Sequence, residues 1–157
     1  MEIKVMANAI RQLGVLHHNP YLLAPLYQEF YSHLEQQPKN FLLSYLLLPM
    51  LFHQETSDKL QRLSKSSLNT KFNDPLILKG LEKRVQDFKE LTNTCMLILK
   101  EQNVVQITPE LAVNFEANIL TSGHCKKQQL TAAKNLAKLM NPFLVKDCYR
   151  ILGIKNL

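Results

Sequence analysis

The sequence predicts a mainly α-helical domain carrying one small β-hairpin. Apolar residues recur at helical spacing over long stretches, and breakers are scarce, with 4 glycines and 7 prolines among 157 residues. The pairs Asn19-Pro20, Asp74-Pro75 and Asn141-Pro142 also punctuate the chain where helices would start. In each pair the short polar side chain can accept from an orphan amide, and proline at the first helical position forfeits no hydrogen bond. Hydrophobic residues form 46% of the chain, enough for a buried core and too many for a disordered one. The length suits one domain, 1–157.

Taken in order, residues 3–17 can form a helix with Val5, Ala9, Leu13 and Leu16 on one side. Asn19-Pro20 opens a second helix to about residue 36, with Pro25 as a potential kink in its second turn. Residues 37–40 make a turn. The most apolar run, 41–52, reads as a buried helix interrupted near Pro49. Thr56 or Ser57 is expected to cap a short helix through Leu63, and the polar stretch 64–73, with Ser64, Ser66 and Ser67, to form a loop.

Asp74-Pro75 starts the strongest helical signal, expected to run to about residue 100. Leu81, Val85, Phe88, Thr92, Cys95 and Leu99 share one stripe there, while Lys83 and Asp87, one turn apart, can pair weakly. Asn103 ends it. Val104 to Ile107 and Leu111 to Phe115 then read as hairpin strands around Thr108-Pro109-Glu110, an order that suits a winged-helix element. Gly123 marks a loop, 126–140 form a helix, Asn141-Pro142 opens the last one and Gly153 closes it.

The net charge of +6 is unevenly placed. Residues 1–116 form a neutral body, whereas 117–157 hold Lys126, Lys127, Lys134, Lys138, Lys146, Arg150 and Lys155 against Asp147 alone. Such asymmetry points to an anionic partner, either nucleic acid or an acidic protein surface. Lys127, Lys134 and Lys138 fall on one side of their helix, and Leu130, Ala133, Ala137 and Met140 on another. Lysines so spaced can track phosphates as point charges, or can simply form a solvated face. The candidate partner surface is Lys126, Lys127, Lys134, Lys138, Lys146 and Arg150. No aromatic residue interleaves with these lysines, which argues against a stacking platform for single strands.

Catalytic and metal chemistry find little support. Cys95, Cys125 and Cys148 are scattered, without a Cys-x-x-Cys pair, and read as reduced thiols of a cytoplasmic protein. His17-His18 point in different directions on a helix and lack a third ligand. His53 reads as a helix-end polar residue, and His33 and His124 have no partner at motif spacing. Asp58, Asp74 and Asp87 are dispersed, and neither a nucleophile elbow nor a glycine-rich phosphate loop is present, so the expectation is a non-enzyme without cofactor. The start of the chain has no signal-peptide pattern, and twelve apolar residues at 41–52 fall short of the roughly 20 that span a bilayer, so no membrane partner is expected.

Asn19-Pro20 before an apolar helix, then Leu46-Leu47-Leu48-Pro49 with His53 four residues on, resembles the middle component of bacterial three-component ABC systems. Residues 133–139 followed by Tyr149, Leu152, Gly153 and Ile154 resemble that family's closing motif. The resemblance covers about residues 15–155 and departs at Asn135, where the family usually carries glycine. It implies a non-catalytic subunit encoded beside an SMC- or Rad50-like ATPase and an effector, often a nuclease, an organisation similar to Lamassu-type anti-phage systems. In that setting the subunit would bridge the ATPase to the effector and restrain it until foreign DNA is sensed, and the basic helices would meet DNA or an acidic partner.

The competing expectation is a stand-alone winged-helix DNA-binding regulator. The near absence of arginine from the basic segment, which holds only Arg150, weighs against it, because bidentate guanine reading favours arginine. A small enzyme ranks third.

Overall fold

A computed structural model describes residues 19–157, so the expected helix 3–17 and the His17-His18 pair lie outside the described residues. The chain runs through α1 (Pro20–His33), a 3-10 turn (Asn40–Leu43), α2 (Ser44–Leu51), α3 (Gln54–Lys59), α4 (Leu68–Lys71), α5 (Pro75–Leu78) and α6 (Leu81–Glu101). Strands β1 (Val105–Ile107) and β2 (Val113–Phe115) follow, then α7 (Lys127–Met140) and α8 (Val145–Ile151). The mainly α-helical class with a single antiparallel hairpin is as expected.

The interior is built by α1, α2, α6 and α7. Helix α1 packs against α6 and α7, and α2 against α6 and, less extensively, α7. Asn19 caps α1 by accepting from the Tyr21 amide at 3.0 Å, with Pro20 at the first position and Pro25 accommodated inside the helix. Every residue of α2 is buried, and the helix runs past Pro49 to Leu51, with the 3-10 turn as its lead-in. The anticipated interruption at Pro49 is therefore absent. In an eight-residue helix the proline's missing donor and its steric conflict affect only the first turn.

The stripe on α6 faces inward as expected, with Leu81, Val85, Thr92, Cys95 and Leu99 buried and Phe88 partly so. Thr92 belongs in that seam because its hydroxyl pairs with the buried Tyr27 hydroxyl of α1 at 2.9 Å. Pairing a buried hydroxyl avoids a penalty of about 1–3 kcal/mol. Among the described residues Asp147 pairs with Arg150 and the Glu29 carboxylate lies 3.6 Å from His33 Nδ1, while Lys83 and Asp87 stay apart.

Four local expectations are corrected. The helix after Asp74-Pro75 is two helices: Asp74 caps α5, and Gly80, at φ +80°, breaks the chain before α6. A left-handed residue cannot continue a right-handed helix, and glycine adopts it without strain. The 64–73 stretch contains α4, capped by Ser67 through the Thr70 amide. Helix α3 begins at Gln54 with His53 as its N-cap and ends at Lys59; Thr56 instead donates back to the Met50 and His53 carbonyls. Asn141-Pro142 opens no helix. Asn141 ends α7, and its side chain accepts from the Glu35 amide at 2.8 Å and donates to the His33 carbonyl at 3.0 Å, closing the exit of α1. Helix α8 starts later, after Leu144.

The hairpin lies along the helical body. Its register pairs Val105 with Phe115, Gln106 with Asn114 and Ile107 with Val113. The buried Asn40 amide accepts from the Val113 N–H at 2.6 Å and donates to its carbonyl at 3.3 Å, and the Phe41 amide donates to Leu111. The β2 edge is thus engaged by the lead-in to α2. Gln28 of α1 holds the strap that leaves the hairpin, accepting from the Ile119 and Leu120 amides and donating to the Leu120 carbonyl.

Candidate partner-binding surface

The basic segment begins at the start of α7. Lys126 is the N-cap position and Lys127 the first residue, both exposed; Lys134 is partly covered and Lys138 exposed. Lys127, Lys134 and Lys138 share one side of α7, because successive residues turn by about 100°. The inward side carries buried Ala133, Leu136, Ala137 and Met140, with Leu130 partly buried. Helix α7 thus presents a lysine face to solvent as the sequence suggests.

Asn135, at the position where the family resemblance departs, is buried on α7 and donates to the Leu60 carbonyl at 2.6 Å. That bond satisfies a buried carbonyl at the end of α3, so the side chain joins α3 to α7 where glycine could not. No spacing rule singles out this residue.

The structure separates the remaining candidates. Lys126 opens onto a polar hollow between α3 and the start of α7, lined also by Asp58, Gln61 and Gln128, whose carbonyl accepts from Gln61. Lys146 and Arg150 project from α8, and Arg150 pairs with Asp147 at 3.1 Å, which neutralises part of its field. Lys146 shares a separate groove with Lys155 and with Lys39. Lys39 belongs to the segment read as neutral. Its left-handed conformation, φ 62°, in the turn before the 3-10 lead-in brings it to this groove, and nothing in the local sequence announces the meeting.

This groove has a volume of about 540 Å³ and lies between the 37–42 turn, the start of α8 and residues 154–157. Its floor is apolar, formed by Leu42, Val145, Tyr149 and Ile154, and Leu144 and Leu157 stand exposed beside it at 57% and 40%. Three features fix its walls. The Tyr149 hydroxyl donates to the Leu42 carbonyl, tying α8 to the 3-10 turn. Gly153, at φ +73°, ends α8 in a Schellman turn in which the Gly153 amide reaches Arg150 and the Ile154 amide reaches Tyr149. The Glu82 carboxylate then accepts from the Lys155 and Asn156 amides at 3.0 and 2.6 Å and anchors the tail on α6.

Asp58, Asp74, Glu82 and Asp147 each have a structural partner. Asp58 accepts from Gln54, Asp74 caps α5, Glu82 anchors the tail and Asp147 holds Arg150. Burial pushes the Cys95 thiol up to about 12. Burial, then the neighbouring Asp147, does the same for Cys148, disfavouring the nucleophilic thiolate. Cys125 is also raised by burial, and with His124 it converges on the Leu22 carbonyl. Among the described residues no group of three histidine, cysteine or acidic side chains is placed to hold a metal ion, and no helix is long and apolar enough to cross a membrane.

Fold and surface together define a mainly α-helical protein in which apolar and basic groups meet in the open at the C-terminal end. The model of the ABC-three component (ABC-3C) system Middle Component 3 family matches residues 7–156, nearly the whole sequence, and the chain belongs to that family. It is therefore one component of a multi-component system. No curated protein and no solved structure matches it.

Proposed function

We propose that this chain is a non-catalytic bridging subunit. It would link an SMC- or Rad50-like ATPase to a nuclease-type effector and restrain that effector until foreign DNA is sensed, in a cytoplasmic, Lamassu-type anti-phage complex. Membership of a middle-component family over residues 7–156 carries this reading. The structural roles of Asp74, Glu82 and Asp147, and the burial that raises the Cys95 and Cys148 thiols, favour a binding role over chemistry. The lysine face of α7 would meet DNA held by the ATPase or an acidic surface of a partner. Purification with the proteins encoded beside it tests this: an ATPase and an effector are expected to be recovered with the chain, and recovery of the chain alone overturns the proposal.

The alternative, a stand-alone winged-helix regulator, rests on the hairpin that follows α6. Two observations weigh against it. Helix α6 carries Glu82, Asp87, Glu90 and Glu101 against Lys83, Arg84, Lys89 and Lys100, so it offers no basic recognition face. The hairpin is also engaged along β2 by Asn40. Salt-sensitive, sequence-selective DNA binding by the isolated chain would reinstate it.

A further inference from the structure

We infer that the groove between α8, the 37–42 turn and residues 154–157 seats a segment of another component of the system, one with an apolar anchor flanked by aspartate or glutamate. The inference rests on the bridging reading and adds the place and chemistry of one contact. Charge complementarity names the occupant. Lys39, Lys146 and Lys155 come to the groove from three separate parts of the chain, and among the described residues no acidic one lines it. Asp147, beside Lys146, is engaged with Arg150, and Glu82, which holds the tail, with the Lys155 and Asn156 amides.

The floor excludes a purely electrostatic ligand. A phosphate backbone gains little from Leu42, Val145 and Ile154, and Tyr149 has its hydroxyl bonded to the Leu42 carbonyl, which leaves its ring packed into the wall. A leucine- or phenylalanine-sized anchor removes this floor from water, and carboxylates beside the anchor reach the lysine rim. Buried apolar anchor and charged rim are the usual division of labour in a protein contact. The volume falls within the roughly 300–1,000 Å³ of sites that enclose a small group. Leu144 and Leu157 remain exposed in the free chain, where a partner segment would cover them.

The test uses the full chain with its encoded partner components. Leu144→Asp removes an exposed apolar group and inserts a carboxylate, yet aspartate is favoured at the N-cap position that Leu144 holds, so the fold is retained. This variant, and separately a Lys39→Glu, Lys146→Glu, Lys155→Glu triple variant, are expected to weaken capture of one component by about tenfold or more. A Lys127→Glu, Lys134→Glu, Lys138→Glu triple variant makes the same charge change on α7 and is expected to leave that capture within about twofold. Undiminished capture by Leu144→Asp overturns the groove contact while leaving the bridging reading intact.

Failure of the parent chain to capture any component overturns the bridging reading. The groove is then read directly with a short labelled peptide of leucine and glutamate and a leucine–lysine counterpart. Selective binding of the acidic peptide, lost in Leu144→Asp, supports it. Equal binding of both peptides, no binding of the acidic one, or its displacement by a short DNA duplex overturns it.

Discussion

Helices α2 and α8 are both short, yet one is sealed and the other half open. Helix α2 lies against α6 and α7, and every one of its residues is buried. Helix α8 packs chiefly through Val145 and Cys148, and leaves Lys146, Arg150 and the preceding Leu144 to solvent. The two helices differ in hydrophobic content as well as in neighbours, since α2 carries no charged residue and α8 carries Lys146, Asp147 and Arg150. The interior location of α2 spends its apolar surface on stability, while the edge location of α8 leaves surface for recognition.

The sharpest way to break this comparison is to truncate one leucine of α2 and the leucine that precedes α8. Leu47→Ala, at a fully buried site, is expected to destabilise the protein by about 2–5 kcal/mol in urea unfolding, through lost transfer energy and a cavity. Leu144→Ala is expected to stay within about 0.5 kcal/mol. Equal losses would mean that the α8 end contributes to the core as much as α2 does.

The seam between α1 and α6 is sharpened by Thr92→Val, expected to cost about 1–3 kcal/mol because it strands the Tyr27 hydroxyl. A paired Tyr27→Phe, Thr92→Val variant should recover part of that loss. At the open end, Gly153→Ala is expected to cost about 1–2 kcal/mol. A Cβ there meets nothing within 4 Å, so the whole effect comes from the left-handed backbone. Asn19→Ala should cost about 1 kcal/mol through loss of the α1 cap, measurable as a lower Tm.

The smallest effect near neutral pH belongs to the thiols. Cys95 and Cys148 are raised from 9.0 to about 12, so the folded state holds protons that the unfolded state releases as pH rises past 9. Their stabilising contribution is complete below that pH and is lost on going from 9 toward 12. A urea midpoint that falls over this range, and falls less in Cys148→Ala, is the expected outcome. Native-state alkylation should reach the partly exposed Cys125 before either buried thiol.

Much of the fold was legible from nearby residues. The Leu81–Leu99 stripe, the caps at Asn19 and Asp74, the hairpin with its turn, the lysine face of α7 and the closing Gly153 are all matters of spacing or backbone preference within a few residues. The third Asx-Pro pair shows the limit. Asn141 has the chemistry of a cap, but the groups it satisfies are the His33 carbonyl and the Glu35 amide, more than a hundred positions away. Asn135 and Asn40 likewise owe their burial to the Leu60 carbonyl and to Val113. Gly80 was readable in principle, since glycine inside a helical pattern is a break signal, but the apolar period on both sides outweighed it.

For the candidate surface the same division holds. Sequence alone determined that basic charge accumulates after residue 116 and that Lys127, Lys134 and Lys138 share a helical face, because covalent order and the helical turn settle both. Only the tertiary structure decided that Lys126 opens onto a different hollow from Lys146, that Lys39 joins Lys146 and Lys155, and that an apolar floor lies between them. Charge and periodicity are properties of a segment. A groove is the space left where segments from distant parts of the chain meet and pack, so its lining depends on the contacts made in the folded protein.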